Sequence, residues 1–171
     1  ELECAGGAIF VSSGGELFLF SVHFSANRAD IGGAIFTVSA TVIAFNCAMT
    51  SNSARSGGAF FSAGDSKVTT TDCTMTSNSA DSGGVFFAGS NPGSNPTVIA
   101  IGCAMNSNSA VWGGVVFAAQ ASTFITLDCA MTGNSAEWGG AVYARDDSIV
   151  AATGCTMISN VALHSGGAVY A

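Results

Sequence analysis

Charge is what this sequence is shortest of. Only 9% of its residues are charged, four basic against eleven acidic, and Arg28, Arg55, Lys67 and Arg145 stand singly. Nucleic acid and anionic membrane surfaces are gripped by clustered Lys and Arg, so neither is an expected partner. The surface of a small soluble domain carries roughly 25–35% charged residues. This chain is 49% hydrophobic, too apolar for its size unless part of its exterior is covered. No stretch approaches the ~18 uninterrupted apolar residues of a membrane helix, so no membrane span is expected. The chain opens on Glu-Leu-Glu-Cys rather than on a basic segment and an apolar core. That opening fits a mature or excised fragment as well as a cytosolic protein.

Other absences narrow the chemistry. The cysteines show no Cys-x-x-Cys or Cys/His spacing, so no metal site is expected and no cofactor is implied. The Asn-x-Thr at residues 95–97 is barred as a glycan acceptor by its proline. No 3.6-residue apolar stripe survives the Gly and Ser, and the Leu-x-x-Leu-x-Leu pattern is missing, which sets aside helical and leucine-rich repeats.

What the chain does have is repetition. The block Cys-Ala-Met-Thr-Ser-Asn-Ser-Ala-Arg-Ser-Gly-Gly-Ala-Phe-Phe at residues 47–61 returns at Cys73, Cys103, Cys129 and Cys155, with a divergent copy at residues 22–36. Gly-Gly pairs begin at Gly6, Gly32, Gly57, Gly83, Gly113, Gly139 and Gly166. A period in the mid-twenties with Gly-punctuated, strand-like sequence predicts an all-β chain: one parallel β-helix domain over 1–171, about seven coils with three strands each. One strand follows the glycines, one precedes the cysteine, and one carries the Cys-x-Met pair. A bend between the second and third belongs at Asn46, Asp72, Gly102, Asp128 or Gly154, residue types that tolerate a left-handed backbone. The Gly-Ser-Asn-Pro-Gly-Ser-Asn-Pro run at 89–96 reads as a surface loop.

Equivalent residues of successive coils stack ~4.8 Å apart, so the repeats can be read as columns. Val22, Cys47, Cys73, Cys103, Cys129 and Cys155 form one, and Phe24, Met49, Met75, Met105, Met131 and Met157 the next on the same face. Both are purely apolar and point inward. The cysteines read as buried free thiols; stacked neighbours are within disulfide range, but five cannot pair completely. Cys4, outside the column, would be free or paired with a segment beyond it. Asn27, Asn52, Asn78, Asn108, Asn134 and Asn160 read as an internal amide ladder.

The Gly-Gly-Ala-Ile sequences at 6–9 and 32–35, with Phe-Ser-Ala-Asn at 24–27, resemble the GGA-I and F-x-x-N repeats of the chlamydial polymorphic membrane proteins. Such motifs also occur in other right-handed β-helix surface proteins of bacteria and protists. The resemblance extends over essentially the whole chain and implies a right-handed parallel β-helix exposed at a surface, often adhesive. The sequence departs from the pattern by placing Met where the motif has Phe in five of six coils. The transporter barrel of that family has no counterpart within these 171 residues.

Function is then sought on the outer faces. After the glycines run two neighbouring apolar columns: Ile9, Ile35, Phe60, Phe86, Val116, Val142, Val169, and Phe10, Phe36, Phe61, Phe87, Phe117, Tyr143, Tyr170. Adjacent strand positions face opposite sides, so one column must point outward. The tyrosine hydroxyls favour the aromatic one. Seven apolar side chains along one face exceed what a monomer ordinarily leaves bare, so self-association or another surface protein is the expected partner. Trp112 and Trp138 share a column before the glycines and form either a glycan platform or a packed corner. Asp30, Arg55 and Asp81 stack in consecutive coils. They read as a cross-coil charge ladder, with a glycosidase or polysaccharide lyase as the alternative. His23 is expected at the surface and Asp146-Asp147 in a turn. Outward threonines on the third strand (Thr50, Thr76, Thr132, interrupted by Asn106 and Ile158) suggest either O-linked glycan acceptors or an ice-binding face.

The expected function is therefore a non-catalytic structural or adhesive β-helix at the cell surface or outside the cell. A carbohydrate-binding or carbohydrate-processing β-helix comes second and an ice-binding solenoid third. No catalytic, cofactor or metal residue is assigned. Neither end shows a recognisable cap, which suggests a segment of a longer β-helix or copies associating head-to-tail or laterally into a fibre.

Overall fold

The computed structural model describes residues 5–89 and 94–171. Cys4 and residues 90–93 of the expected loop lie outside them. All regular structure in the described residues is β, arranged as a parallel solenoid of three principal sheets. Sheet one, after the glycines, stacks Ile9–Ser12, Ile35–Val38, Phe60–Ala63, Phe86–Ala88, Val116–Ala118, Val142–Ala144 and Val169–Tyr170. Sheet two stacks Glu16–Phe20, Thr41–Phe45, Lys67–Thr71, Thr97–Ile101, Thr123–Leu127 and Ile149–Thr153. Sheet three carries the short Met strands from His23–Ser25 to Thr156–Ile158. Six turns are complete, and the seventh coil contributes its first strand alone. A fourth, narrow side was not anticipated. Isolated parallel bridges link Ser53, Ser79, Ser109 and Ser135 coil to coil, and widen into Ser135–Trp138 paired with Val161–Ser165.

The corners follow from local chemistry. Asn46, Asp72, Gly102, Asp128 and Gly154 all have positive φ and turn the chain from sheet two to sheet three. A second left-handed column, Ser51, Ser77, Ser107, Gly133 and Ser159, turns it again just before the asparagines. At the Gly-Gly corner the two glycines have different duties. Gly83 sits at φ 65°, while a methyl on Gly84 would overlap the carbonyl oxygen of Gly114 in the next coil. One glycine is needed for its torsion and the other because coils stack through it.

The core lies between the sheets. Met49, Met75, Met105 and Met131 are fully buried, as are Ile35, Phe60, Phe86, Val116 and Val142 from sheet one. Asn52, Asn78, Asn108 and Asn134 are buried among them. Asn108 Nδ2 donates to Asn134 Oδ1 (3.1 Å) and to the Met75 carbonyl (2.9 Å), its backbone N–H donates to Asn134 Oδ1 (2.9 Å), and its Oδ1 accepts two bonds from Asn78. The same pattern runs from Asn27 to Asn160. Every amide in the core is thereby saturated, which a low-dielectric interior requires.

The cysteine column is equally regular. Cys47, Cys73, Cys103, Cys129 and Cys155 are free thiols, and each donates to the carbonyl two residues before it, from Phe45 to Thr153. The hydrogen bond with Cys103, together with burial, pushes the Cys129 thiol far above the ordinary range. Cys103 is held down by its bond with Cys129 but raised more by Cys73 and burial, whereas the bond with Cys103 lowers Cys73. Cys47, Cys73, Cys103 and Cys129 are buried in the core, the setting of the inert kind of cysteine.

Candidate functional site

Sheet one sends its aromatic column outward, opposite the buried Ile35–Val142 column. Seven rings follow one another from Phe10 to Tyr170 with centroids 4.6–5.4 Å apart. From Phe61 onward the planes lie within 12° of parallel. Centroid spacings of this size belong to offset stacks, in which each ring turns an edge and part of a face outward.

The ladder is less open than its position suggests. Phe10 is 53% exposed, but Phe61 retains only 8% and Phe117 only 4%. Flanking side chains close over the middle of the column. The Arg145 guanidinium lies 5.2 Å from the Phe117 ring centroid, a cation–π placement, and is anchored by Asp146 at 3.2 Å. On the other flank stand Trp112, Arg55 and Asp81. Together they bound a groove of about 540 Å³ floored by Phe61, Phe87, Phe117 and Tyr143, with Gln120 and Arg145 on the far lip. That volume and that mixture of aromatic floor and sparse polar groups suit a small elongated ligand.

Three separately predicted features therefore meet at one place: the aromatic column, Trp112, and the Arg55–Asp81 part of the charged column. Asp30 falls outside this groove. It lies 3.8 Å from Arg55 and borders a neighbouring recess with Arg28 and Asp81. Both partners of that ion pair are solvent-exposed, the setting in which such pairs contribute little to stability. The two tryptophans part company. Trp112 is exposed at the groove, whereas Trp138, half-buried in the next coil, packs against His164 (4.8 Å) and edge-on to Tyr170 (5.8 Å). His23 is exposed, and Asp146 and Asp147 form a left-handed turn. Thr50, Thr76 and Thr132 on sheet three are half-buried, as are Ala48, Ala104 and Ala130. Among the described residues no group of three His, Cys, Asp or Glu side chains could hold a metal ion.

Two features were not expected from the sequence. One is the lip of Gln120 and Arg145, which comes from the turns leaving sheet one. The other is the outer face of sheet two. Its inward positions (Val42, Val68, Val98, Phe124) are fully buried, so Phe18, Ile43, Thr69, Ile99, Ile125, Ala151 and Phe20, Phe45, Thr71, Ile101, Leu127, Thr153 point outward. The alternation in Thr97–Ile101 was the available signal: two isoleucines lie on the face opposite Val98 and Ala100.

The model of the Chlamydia polymorphic membrane protein repeat matches residues 128–145, which run from the Asp128 corner through the Asn134 turn and Gly139-Gly140 to the lip residue Arg145. The match covers one repeat, and the chain as a whole is a parallel β-helix repeat protein. No curated protein and no solved structure matches it.

Proposed function

We propose that this chain is a non-catalytic adhesive segment displayed at a cell surface or outside the cell. The observation that carries this reading is the groove over the aromatic ladder, a concave site floored by the strands of sheet one. Repeats of the matched family suggest a surface-exposed adhesin-type β-helix, and a scaffold nearly devoid of charge suits display rather than turnover. Copies gathered side by side would multiply such sites. Beads coated with the chain should adhere to a cell monolayer, and Trp112→Ala with Arg145→Ala should abolish adhesion while the β circular-dichroism spectrum persists. Adhesion indifferent to both substitutions would sink the reading.

The groove itself favours a second, narrower reading, that its ligand is a glycan. The exposed Trp112 ring and the half-buried Phe87 and Tyr143 can pack against the apolar side of a sugar ring, while Arg55, Asp81, Gln120 and Arg145 offer hydrogen bonds to hydroxyls or a carboxylate. A glycan array of neutral and uronic-acid oligosaccharides decides this, with binding expected to fall at least about tenfold in Trp112→Ala. Release of unsaturated uronate products from a polyuronate during the same incubation would instead establish a lyase.

A further inference from the structure

We infer that the outer face of sheet two is the surface on which two copies of this chain pair, face to face and running in opposite directions. The face consists of six strands of five residues, about 24 Å by 16 Å or roughly 400 Å², near the size at which exposed apolar patches cease to be incidental. Phe18, Phe20 and Phe45 are exposed, Phe20 to 66%, and isoleucines and Leu127 continue the patch. Charge is confined to its first column, Glu16 and Lys67. A membrane surface is normally gripped by apolar side chains ringed with Lys and Arg, which are lacking here. A flat apolar sheet is what suits this one.

The pattern of side-chain size selects a second copy as that sheet. Consider a two-fold axis lying along the strands, between the third and fourth coils. It sets each coil against the one equally far from the axis in the partner, and keeps equivalent strand positions opposite one another. Bulky Phe18 and Phe20 then face small Ala151 and Thr153. Ile43 and Phe45 face Ile125 and Leu127, and small Thr69 and Thr71 face Ile99 and Ile101. Phenylalanine opposes Ala or Thr at the ends and isoleucine opposes threonine at the centre, Ile43 and Phe45 meet Ile125 and Leu127 between them, and the charged Glu16 and Lys67 fall at the rim opposite Ile149 and Thr97, with sheets at the ~10 Å separation of packed β-layers. The opposite alignment, coil on like coil, would set Phe18 on Phe18 and Ala151 on Ala151, with clash at one end and a void at the other. The small area implies a weak, micromolar dimer. The proposal does not depend on the ligand of the groove on sheet one.

Sedimentation of the 171-residue chain across a micromolar dilution series tests it. The expected result is a reversible monomer–dimer equilibrium, weakened about a hundredfold by Ile99→Lys, which places a charge beside the axis. Preservation of the fold is read by circular dichroism, and Thr76→Lys on sheet three should leave the dimer intact. If Ile99→Lys does not fold, orientation gives an independent test. The double variant Phe18→Cys, Ala151→Cys should cross-link between copies with a short bismaleimide, whereas Phe18→Cys alone should not, because its equivalents lie ~24 Å apart along the stacking direction of the coils. A chain that stays monomeric, a dimer indifferent to Ile99→Lys, or cross-linking by Phe18→Cys alone overturns the proposal. So does a monomer that co-sediments with phosphatidylcholine vesicles, which would point to a lipid surface instead.

Discussion

On sheet one the outward aromatics lie in a stack partly roofed by Trp112, Arg55 and Arg145, whereas among the described residues no side chain roofs the outward Phe, Ile and Leu of sheet two. Both faces arise from the same alternation along a strand, and both contribute to the 49% apolar composition. The difference lies in what the adjoining corners carry. Turns leaving sheet one bring Gln120, Arg145 and Asp146 over its edge, and the column before the glycines brings Arg55, Asp81 and Trp112 over the other. The corner between sheets two and three carries Ser21, Asn46, Asp72, Gly102, Asp128 and Gly154 at its left-handed position, side chains too short to cover either face. An apolar column therefore becomes a groove or an open face according to its neighbours in the coil.

The comparison fails altogether if the coils cannot stack, and Gly84→Ala is the change that does most to prevent it. Its methyl would overlap the Gly114 carbonyl, backbone that cannot move aside. The expected outcome is loss of a cooperative melting transition, a cost comparable to the whole stability of about 5–15 kcal/mol of an ordinary domain. Asn108→Leu comes next. It leaves two donors of Asn78 without their acceptor in the core. Denaturant titration should record about 4 kcal/mol of destabilisation, with both faces affected alike.

Truncations separate the faces. Phe117→Ala removes a ring that is packed between neighbours and capped by Arg145, and should cost about 3 kcal/mol. Ile125→Ala, measured on dilute monomer, should cost about 1 kcal/mol, because its side chain has partners on fewer sides. Equal losses would mean that the two faces are equally packed. The smallest effect concerns pH. The Cys129 and Cys103 thiols are raised in the folded chain, so the unfolded chain releases protons first, from the ordinary value of 9.0 upward. Stability is then fully present below that value and declines as pH rises through and beyond it. Cys73, shifted down, opposes the trend. A melting temperature that is flat or rising from pH 8 to 10 would contradict this.

Much of the fold was legible because a solenoid turns each structural requirement into a column. Asn46, Asp72, Gly102, Asp128 and Gly154 share little chemistry beyond tolerance of a left-handed backbone, and that was enough to place a corner. The second such corner was not legible, because serine at 51, 77, 107 and 159 gives no comparable signal. Nor was the fourth side, whose bridges at Ser53, Ser79 and Ser109 are single pairings. The meeting of Trp112, Arg55 and Arg145 over the ladder depends on side-chain reach across two corners, which no column records. Sheet two's face was written in the alternation of Thr97–Ile101 and Thr123–Leu127, but emerges only once inward and outward positions are fixed.

Hydroxyl-radical footprinting over a range of protein concentrations tests the contrast between the faces most directly, since it reads each side chain's exposure in solution. Phe10 should oxidise readily, and Phe61 and Phe117 should be protected even at the greatest dilution. Ile99, Ile101, Ile125 and Leu127 should be oxidised when dilute and become protected as concentration rises. Oxidation of Phe61 and Phe117 on a par with Phe10, or sheet-two residues whose exposure ignores concentration, would contradict the account.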